Sequence, residues 1–549
     1  ILFQADGYGY VSESNESNNV AYKAINIIDP KPDLIVQNQS TPSLAKAGDT
    51  IKLTSYVKNI GDATAGYSYL KYYLSDDINL DSGDKFLGND YVGSLAAGSS
   101  SYKDLTFTLD SGLSGTKYIL FQADGYNYVL EGNELNNVAY AAINITSGQD
   151  WFDLNIKDSG LRSLARSKFT DSKLDRNDMI SLFKEGTQDG NTVDATELTD
   201  LRTLVNNYSY LNIDDHVRIL SNKVANSDPA NQWYTGGNSS RVSLGNLYAG
   251  STSTHLNTLV DKWFLGKDRP TLTDSSYDYR LASGSLFQNG ISYTDVNQGS
   301  VGDCYYLAGL ANTALHSSST IQSMFIDNGD ETFTVRFYNN GVADYVTVDK
   351  YLPVHINSID PWQSGGFIYA GQSNPFTTKT TVGNITYTKT FSKGHYSNVQ
   401  NELWVMLAEK AYAQINESGW LQGPTNSSDK ADRDQNSYAG IGWGYGDGAI
   451  EDITGFNTTY DNLTISDASN ILDAFNSDRM VYLSSKSSPV NSNVVNNHGY
   501  VLVGYNSSIQ KFKIYNPWGL NSSNSKPGHL ELSISELVQN FNQWTWTTS

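Results

Sequence analysis

Cysteine is nearly missing: the 549 residues contain one. No intramolecular disulfide can form, and the single thiol is either a buried structural side chain or a reactive group. Positive charge is also scarce. The 37 Lys and Arg against 58 Asp and Glu leave a net charge of −21. That balance, without any basic cluster, argues against a nucleic-acid partner. No apolar run approaches the roughly 18 residues that a transmembrane helix needs. Charged residues are 17% and hydrophobic residues 39%, which excludes charge-driven disorder and a fibrous repeat. There is no initiator Met. The chain starts at Ile1 inside a repeated segment and is expected to be a fragment, any signal peptide belonging to the missing part. What remains is a chain long enough for several domains.

An internal repeat organises the first part. Residues 1–27 (ILFQADGYGYVSESNESNNVAYKAINI) and 119–145 (ILFQADGYNYVLEGNELNNVAYAAINI) match at 22 of 27 positions with a period of 118. Between the copies, polar and apolar residues alternate in short runs: DLIVQNQS, DTIKLTSYVKN, YSYLKYYLS, SYKDLTFTL, KYILFQADG and NVAYAAINI. Such runs predict strands with one buried face, and their spacing predicts a β-sandwich. Residues 1–29 cannot complete a sandwich alone. The loop Ser75–Asp84 gathers Asp76, Asp77, Asn79, Asp81 and Asp84; it fits a calcium site built from hard oxygen ligands, or a solvated turn.

From about residue 150 apolar residues recur at helical spacing, as in Leu161, Leu164 and Ala165, and in Leu198, Leu201, Leu204 and Val205. Asp175 with Asp178, and Asp194 with Glu197, repeat an acid three positions after an Asp. Gly190 lies seven residues before Glu197, where an EF-hand requires six. Helix capping is therefore the favoured reading of both pairs. After residue 265 the pattern mixes strands (TFTVRFYNN, DYVTVDKYLPV) with a helix over 402–416, whose Trp404, Leu407, Ala408, Ala411, Tyr412 and Ile415 share one face.

The lone thiol, Cys304, follows Gln298-Gly299-Ser300-Val301-Gly302-Asp303 and opens an apolar helical run. A helix N-terminus offers unpaired amides and a favourable dipole, which promote thiolate over thiol. A thiolate nucleophile needs a histidine and donors for an oxyanion. Of seven histidines, His216, His255, His316, His355, His395 and His529 lack a supporting pattern. His498 stands in a strand, and a second strand leads to Asn516. If Tyr505 pairs with Lys511, His498 lies opposite Trp518 and shares a face with Asn516, one diagonal step away. Asn516 then orients the imidazole, and Trp518 covers the pair from water. Gln298 can return its amide beside the backbone donor of Cys304.

Two resemblances follow from these motifs. Pro32-Asp33-Leu34, Ala47-Gly48-Asp49-Thr50, Lys58-Asn59-Ile60-Gly61 and Glu134-Leu135-Asn136-Asn137 resemble the CARDB family of immunoglobulin-like bacterial adhesion modules. Gln298 to Cys304, Val348 to Pro353, Asn401-Glu402-Leu403-Trp404 with Leu407 to Ala413, Ile450 to Gly455, His498-Gly499-Tyr500 and Asn516-Pro517-Trp518-Gly519 resemble the calpain protease core, in family order. The implied fold is multidomain: an all-β CARDB-like sandwich, a small helical domain and a two-lobed α+β papain-like core. The implied division is 1–29, remnant of an upstream repeat; 30–147, sandwich; 148–264, helical connecting domain; 265–425, first lobe; 426–549, second lobe.

The calpain resemblance implies Cys304 as nucleophile, His498 as base, Asn516 as its orienter and Gln298 as oxyanion donor. The reaction is peptide-bond hydrolysis through an acyl-thioester. Calcium aligns the lobes of the family's core, and the matching ligand positions are Gly290, Asp295 and Glu402. Three departures stand out. Tyr305 replaces the tryptophan after the cysteine, Tyr293 replaces an arginine that couples the lobes, and the stretch 520–526 lacks the acids of a second calcium site. At most one family-type site is expected, with a weakened or absent calcium switch. The leading expectation is a secreted or cell-surface bacterial cysteine endopeptidase acting on protein substrates, and on its own precursor if Ile1 is a cleavage product. The alternatives are a non-enzymatic adhesion protein with a protease-like scaffold and a transglutaminase-like acyl transferase.

Overall fold

A computed structural model describes residues 1–27, 29–110, 112–146, 150–186, 190–272, 274–356, 365–371, 376–382, 385–391, 394–421, 433–520 and 522–548. The expected lobe boundary at 425/426 lies outside the described residues. The chain forms two compact units, Ile1–Asn155 and Ile156–Ser549.

In the first unit, strands Leu34–Ser40, Thr50–Asn59 and Ser100–Thr108 form one sheet. A five-stranded sheet runs in the order Leu44–Lys46, Val138–Thr146, Gly115–Gln122, Ser68–Ser75, Lys85–Val92. The inward residues of both, including Leu34, Leu53, Leu70, Tyr72, Ile119, Phe121 and Ile143, make one apolar core. All six strands read from alternation are present. The edge strand Lys85–Val92 is additional; it alternates weakly because much of it faces water. The motif residues tie the sandwich ends together. Asn59 accepts from the Asp33 and Gly61 amides and donates to the Ala63 and Leu95 carbonyls. Residues 1–27 contribute only the hairpin Leu2–Gln4 with Val20–Tyr22, exposed throughout.

The acidic loop after Ser75 is held by its own carboxylates. Asp77 accepts from the Asn79 amide, Asp81 from Gly83 and Asp84 from Asp81, while Asp76 pairs with Lys117. These are Asx-type turns, and they engage oxygens that a cation would need.

The second unit starts with helices Ser159–Lys168, Arg176–Glu185, Ala195–Asn206, Asp215–Ala225 and Ser253–Trp263. Both acidic pairs form capping boxes: Asp175 with Asp178, and Asp194 with Glu197. These helices fall in one compact unit with the residues C-terminal to them. A buried charge cluster fastens the join. Lys262 Nζ lies 2.6 Å from Asp268 Oδ2 and 2.6 Å from Glu417 Oε2, and donates to the Trp233 carbonyl at 2.9 Å. Asp268 also accepts from the Thr235 and Gly236 amides.

The helix Trp404–Ile415 departs from its expected one-sided burial: all twelve residues are buried. Glu409 and Lys410 find polar partners inside, Lys410 donating to the Asp349 and Tyr351 carbonyls, so the polar side needs no water. The last part of the chain forms a six-stranded sheet in the order Thr458–Asn462, Phe541–Thr547, Val481–Ser485, Gly499–Asn506, Lys511–Tyr515, His529–Leu532. Helix Cys304–His316 packs against strand Gly499–Asn506 of this sheet.

Replacing Lys262 by Met removes the cation and leaves two buried carboxylates facing each other. The expected loss is about 3–5 kcal/mol of unfolding free energy, read from the urea midpoint of the variant against the parent chain.

Candidate active site

Cys304 is the first residue of its helix and remains partly exposed. The loop before it runs between two backbones. A Cβ on Gly299 would sit 2.2 Å from the Tyr369 carbonyl carbon, and one on Gly302 would sit 2.8 Å from the Gly442 oxygen. Only glycine permits these approaches. The Gln298 amide donates to the Pro517 carbonyl at 2.8 Å, and the Tyr515 hydroxyl to the Val296 carbonyl at 2.6 Å. These bonds join the cysteine loop to the segment carrying Asn516.

His498 is buried one residue before its strand begins. Its amide donates to Ser485 Oγ, and its carbonyl accepts from the Ser485 amide, both at 2.9 Å. The register differs from expectation near the turn, where Tyr505 pairs with Phe512 rather than Lys511. A bulge at Val503 absorbs one residue, and beyond it Val501 pairs with Tyr515. Carried on, that register sets His498 opposite Trp518, the expected arrangement. Their ring centroids are 5.4 Å apart, and Trp518 is 39% exposed.

His498 Nε2 lies 2.8 Å from Asn516 Oδ1, which also accepts the Trp518 amide at 3.1 Å. A backbone N–H can only donate, so that atom of Asn516 is the oxygen, and His498 Nε2 carries a proton. Nδ1 then holds the lone pair. Burial pushes the His498 imidazole down to about 4, with Asn516 opposing, so the ring is neutral. Burial pushes the Cys304 thiol up to about 11. The amides of Gly499, Tyr305 and Cys304 itself act in the opposite direction, as a helix N-terminus should, and are outweighed. Burial thus favours a neutral thiol and a neutral imidazole, against the expected thiolate. The Gly499 amide beside the sulfur still brings Cys304 to the residue next to His498.

Gln298 Nε2 donates to the Val301 carbonyl at 2.7 Å and lies 3.4 Å from Asp303 Oδ1. Its amide is thus folded into its own loop. The other histidines are engaged elsewhere: His216 against the Tyr345 ring, His355 against the Tyr277 ring, His255 with the Gly245 carbonyl, His316 with Asp478, His395 with Ser397, and His529 with the Tyr293 hydroxyl. Tyr293 also meets the Tyr515 ring edge-on at 5.1 Å, so an aromatic contact spans to the sheet where the arginine of the resemblance was expected to couple the lobes.

Asp295 reaches the start of the helix through Trp404, and Glu402 reaches the loop through Gln288. Asp295 Oδ2 accepts from the Ser292 amide at 2.7 Å and from Trp404 Nε1 at 3.4 Å; Glu402 Oε1 accepts from the Gln288 amide at 3.1 Å. Gly290 lies in the intervening loop with φ +90°. Burial raises the Asp295 carboxyl above its usual range, a cost that a cation would reverse. Two carboxylates and a carbonyl suit a hard cation. Among the described residues no group of three or more His, Cys, Asp or Glu is arranged to hold a metal. Sequence reasoning passed over a second carboxyl pair, Asp303 and Glu409, fully buried beneath the cysteine loop. Their only signal was an acid beside the thiol and another in an otherwise apolar helix.

The calpain family cysteine protease model matches residues 276–423, and the CARDB model matches 31–141. The chain carries a CARDB domain followed by a calpain-family cysteine protease domain. The match to the protease family includes Gln298 and Cys304; His498 and Asn516 lie C-terminal to it. Calpain clp-4 of Caenorhabditis elegans is 25% identical over 44% of this chain and 29% of its own length. Calpain-13 of Rattus norvegicus is 23% identical over 51% of this chain and 37% of its own length. The chain thus spans well under half of each relative. A solved CARDB domain from Pyrococcus furiosus, in complex with di-metal ions, is 22% identical and covers 22% of this chain and 98% of that one, with a TM-score of 0.19. Among the described residues no helix of the protease or CARDB domain is long and apolar enough to cross a membrane.

With the thiol raised by burial, iodoacetamide alkylation of Cys304 in the protease domain should climb about tenfold per pH unit from 7 towards 10. A rate already level from pH 5 to 8 would reveal a preformed thiolate–imidazolium pair.

Proposed function

We propose that the protease domain hydrolyses peptide bonds of protein substrates through an acyl-thioester on Cys304. The observation that carries this is the His498–Asn516 bond beside the amide that touches the sulfur. It leaves a neutral imidazole with its lone pair on Nδ1. In the reaction the Cys304 proton passes to His498 Nδ1 as sulfur attacks the substrate carbonyl. The imidazolium, steadied through Nε2–H by Asn516, then protonates the leaving amine. Water attacks the thioester carbonyl, giving its proton to His498, and Cys304 leaves with it. The oxyanion formed in each half meets the Cys304 amide and, once its side chain turns outward, the Gln298 amide. Trp518 limits solvent access to the imidazole.

Gly290, Asp295 and Glu402 would hold one calcium ion. The ion would supply positive charge that ties the 286–295 loop to the start of helix Trp404–Ile415. Tyr293 in place of the coupling arginine and the acid-free stretch 520–526 favour a weak calcium requirement. The CARDB domain favours a secreted or cell-surface bacterial protein, in which the sandwich is a spacer or adhesion module.

Purified chain incubated with casein should release peptides. Cys304→Ala should abolish release, and His498→Ala should lower kcat by about 10²–10⁴-fold. Labelled-amine incorporation without cleavage would favour acyl transfer, and inertness of the parent chain would favour a binding scaffold.

Calcium dependence is read separately. Chelation should lower cleavage severalfold in the parent chain and leave Asp295→Asn unchanged at its already reduced rate. Equal chelator response in both would remove these ligands.

A further inference from the structure

Asp303 and Glu409 are each fully buried and face one another under the cysteine loop. Two of the pair's four carboxyl oxygens have a donor. Asp303 Oδ1 faces Gln298 Nε2 at 3.4 Å, and Glu409 Oε2 accepts the Ala370 amide at 2.9 Å. Asp303 Oδ2 and Glu409 Oε1 are sealed from solvent and have no donor. Two acceptors cannot satisfy each other without a proton, and an unpaired buried carboxylate is costly.

No Lys or Arg among the described residues pairs with either acid. Lys410, next to Glu409, is committed to Asp349. The groups around the pair are Gln298 from the loop, Cys304, Tyr305 and Tyr306 from the helix, and Tyr438 beside Glu409. None is a cation, so charge on both acids would go uncompensated. Asp303 is also the N-cap of the Cys304 helix, yet its side chain caps nothing. It turns to Gln298 instead.

We propose that Asp303 and Glu409 share one proton, and that this O–H···O bridge positions Gln298 and the first turn of the Cys304 helix for reaction. Burial, and for Glu409 the neighbouring Asp303 charge, drive both carboxyls upward, Asp303 to about 7 and Glu409 well beyond its ordinary range. The pair therefore keeps a proton at neutral pH. Losing it sets two carboxylates against each other directly beneath the thiol. Both are positioning residues, since both are sealed from the surface that substrate would meet. The kinetic consequence rests on the peptidase reading; the proton itself does not.

Infrared difference spectra test the proton without any activity. Parent chain minus Glu409→Gln at pH 7 should show a protonated-carboxyl stretch, other buried acids cancelling. No such band overturns the proposal. With the band present, the parent kcat should fall on the alkaline side, about tenfold per pH unit beyond the pair's last deprotonation. Glu409→Gln keeps a permanent donor to Asp303, so it should retain its rate there with little change in KM. Superimposable pH profiles would overturn the positioning role. If Glu409→Gln does not fold, Asp303→Asn supplies the donor from the other side and carries the same expectations. If the parent chain cleaves nothing, the peptidase reading fails by itself. The Cys304 alkylation profile then serves: a shift between parent and variant supports the bridge, and identical profiles overturn it.

Discussion

One backbone hydrogen bond, from the Gln298 amide to the Pro517 carbonyl, holds the cysteine loop to the segment that carries Asn516. Nucleophile and imidazole are far apart in the chain and belong to different elements, a helix and a sheet. The helix is buried nearly all round, so its N-terminus can only lie where the sheet lets it. The Tyr515 bond to Val296 and the Tyr293 contact to His529 reinforce the same seam. Glycines at 299 and 302 let three backbones crowd at this point, and a side chain there would force the loop away from the Tyr369 and Gly442 backbones. The site is thus a consequence of close backbone approach more than of side-chain affinity.

Desolvation dominates the electrostatics around that seam. It neutralises the thiol and the imidazole, each in its own direction, and it favours retaining protons on carboxyls that would be charged at the surface. Where a cation is available it opposes the effect: the Asp268 and Glu417 charges hold Lys262 above its ordinary range, while burial still pushes Glu417 up to about 7. Lys262 sits between Asp268 and Glu417 in full burial and fastens the leading helices to the protease region. The same burial therefore acts on a cation-paired cluster at Lys262 and on unpaired groups around the thiol, with different results. That contrast follows from where the chain places its few lysines and arginines.

Much of the site was legible before any fold was known. Glycine and aspartate before a lone cysteine, an apolar run after it, and a His-Gly-Tyr and Asn-Pro-Trp pair of strands pointed to one chemistry. The capping boxes at Asp175 and Asp194 were equally readable, because an acid three residues after an N-cap has a local partner. Protonation was not legible, since amides at a helix start argue for a thiolate until the surrounding burial is known. Nor was the bulge at Val503, which hid a one-residue error near the turn from the register at His498. The all-round burial of Trp404–Ile415 escaped notice because Glu409 and Lys410 look like a wet face until Asp303 and Asp349 stand opposite them.

The repeat separates the two kinds of information most cleanly. Ile-Leu-Phe-Gln-Ala-Asp-Gly occurs at residue 1 and at residue 119. Both copies make a strand followed by the same turn, with Asp6 and Asp124 in matching left-handed conformations, φ 41° and 42°. Sequence alone determined that much, because strand propensity and an Asp-Gly turn are local properties. Burial was decided elsewhere: Leu120 is 0% exposed and Leu2 is 74% exposed. Among the described residues the second copy lies against a facing sheet, and the hydrophobic effect acts on surface removed from water, whatever the residue's name.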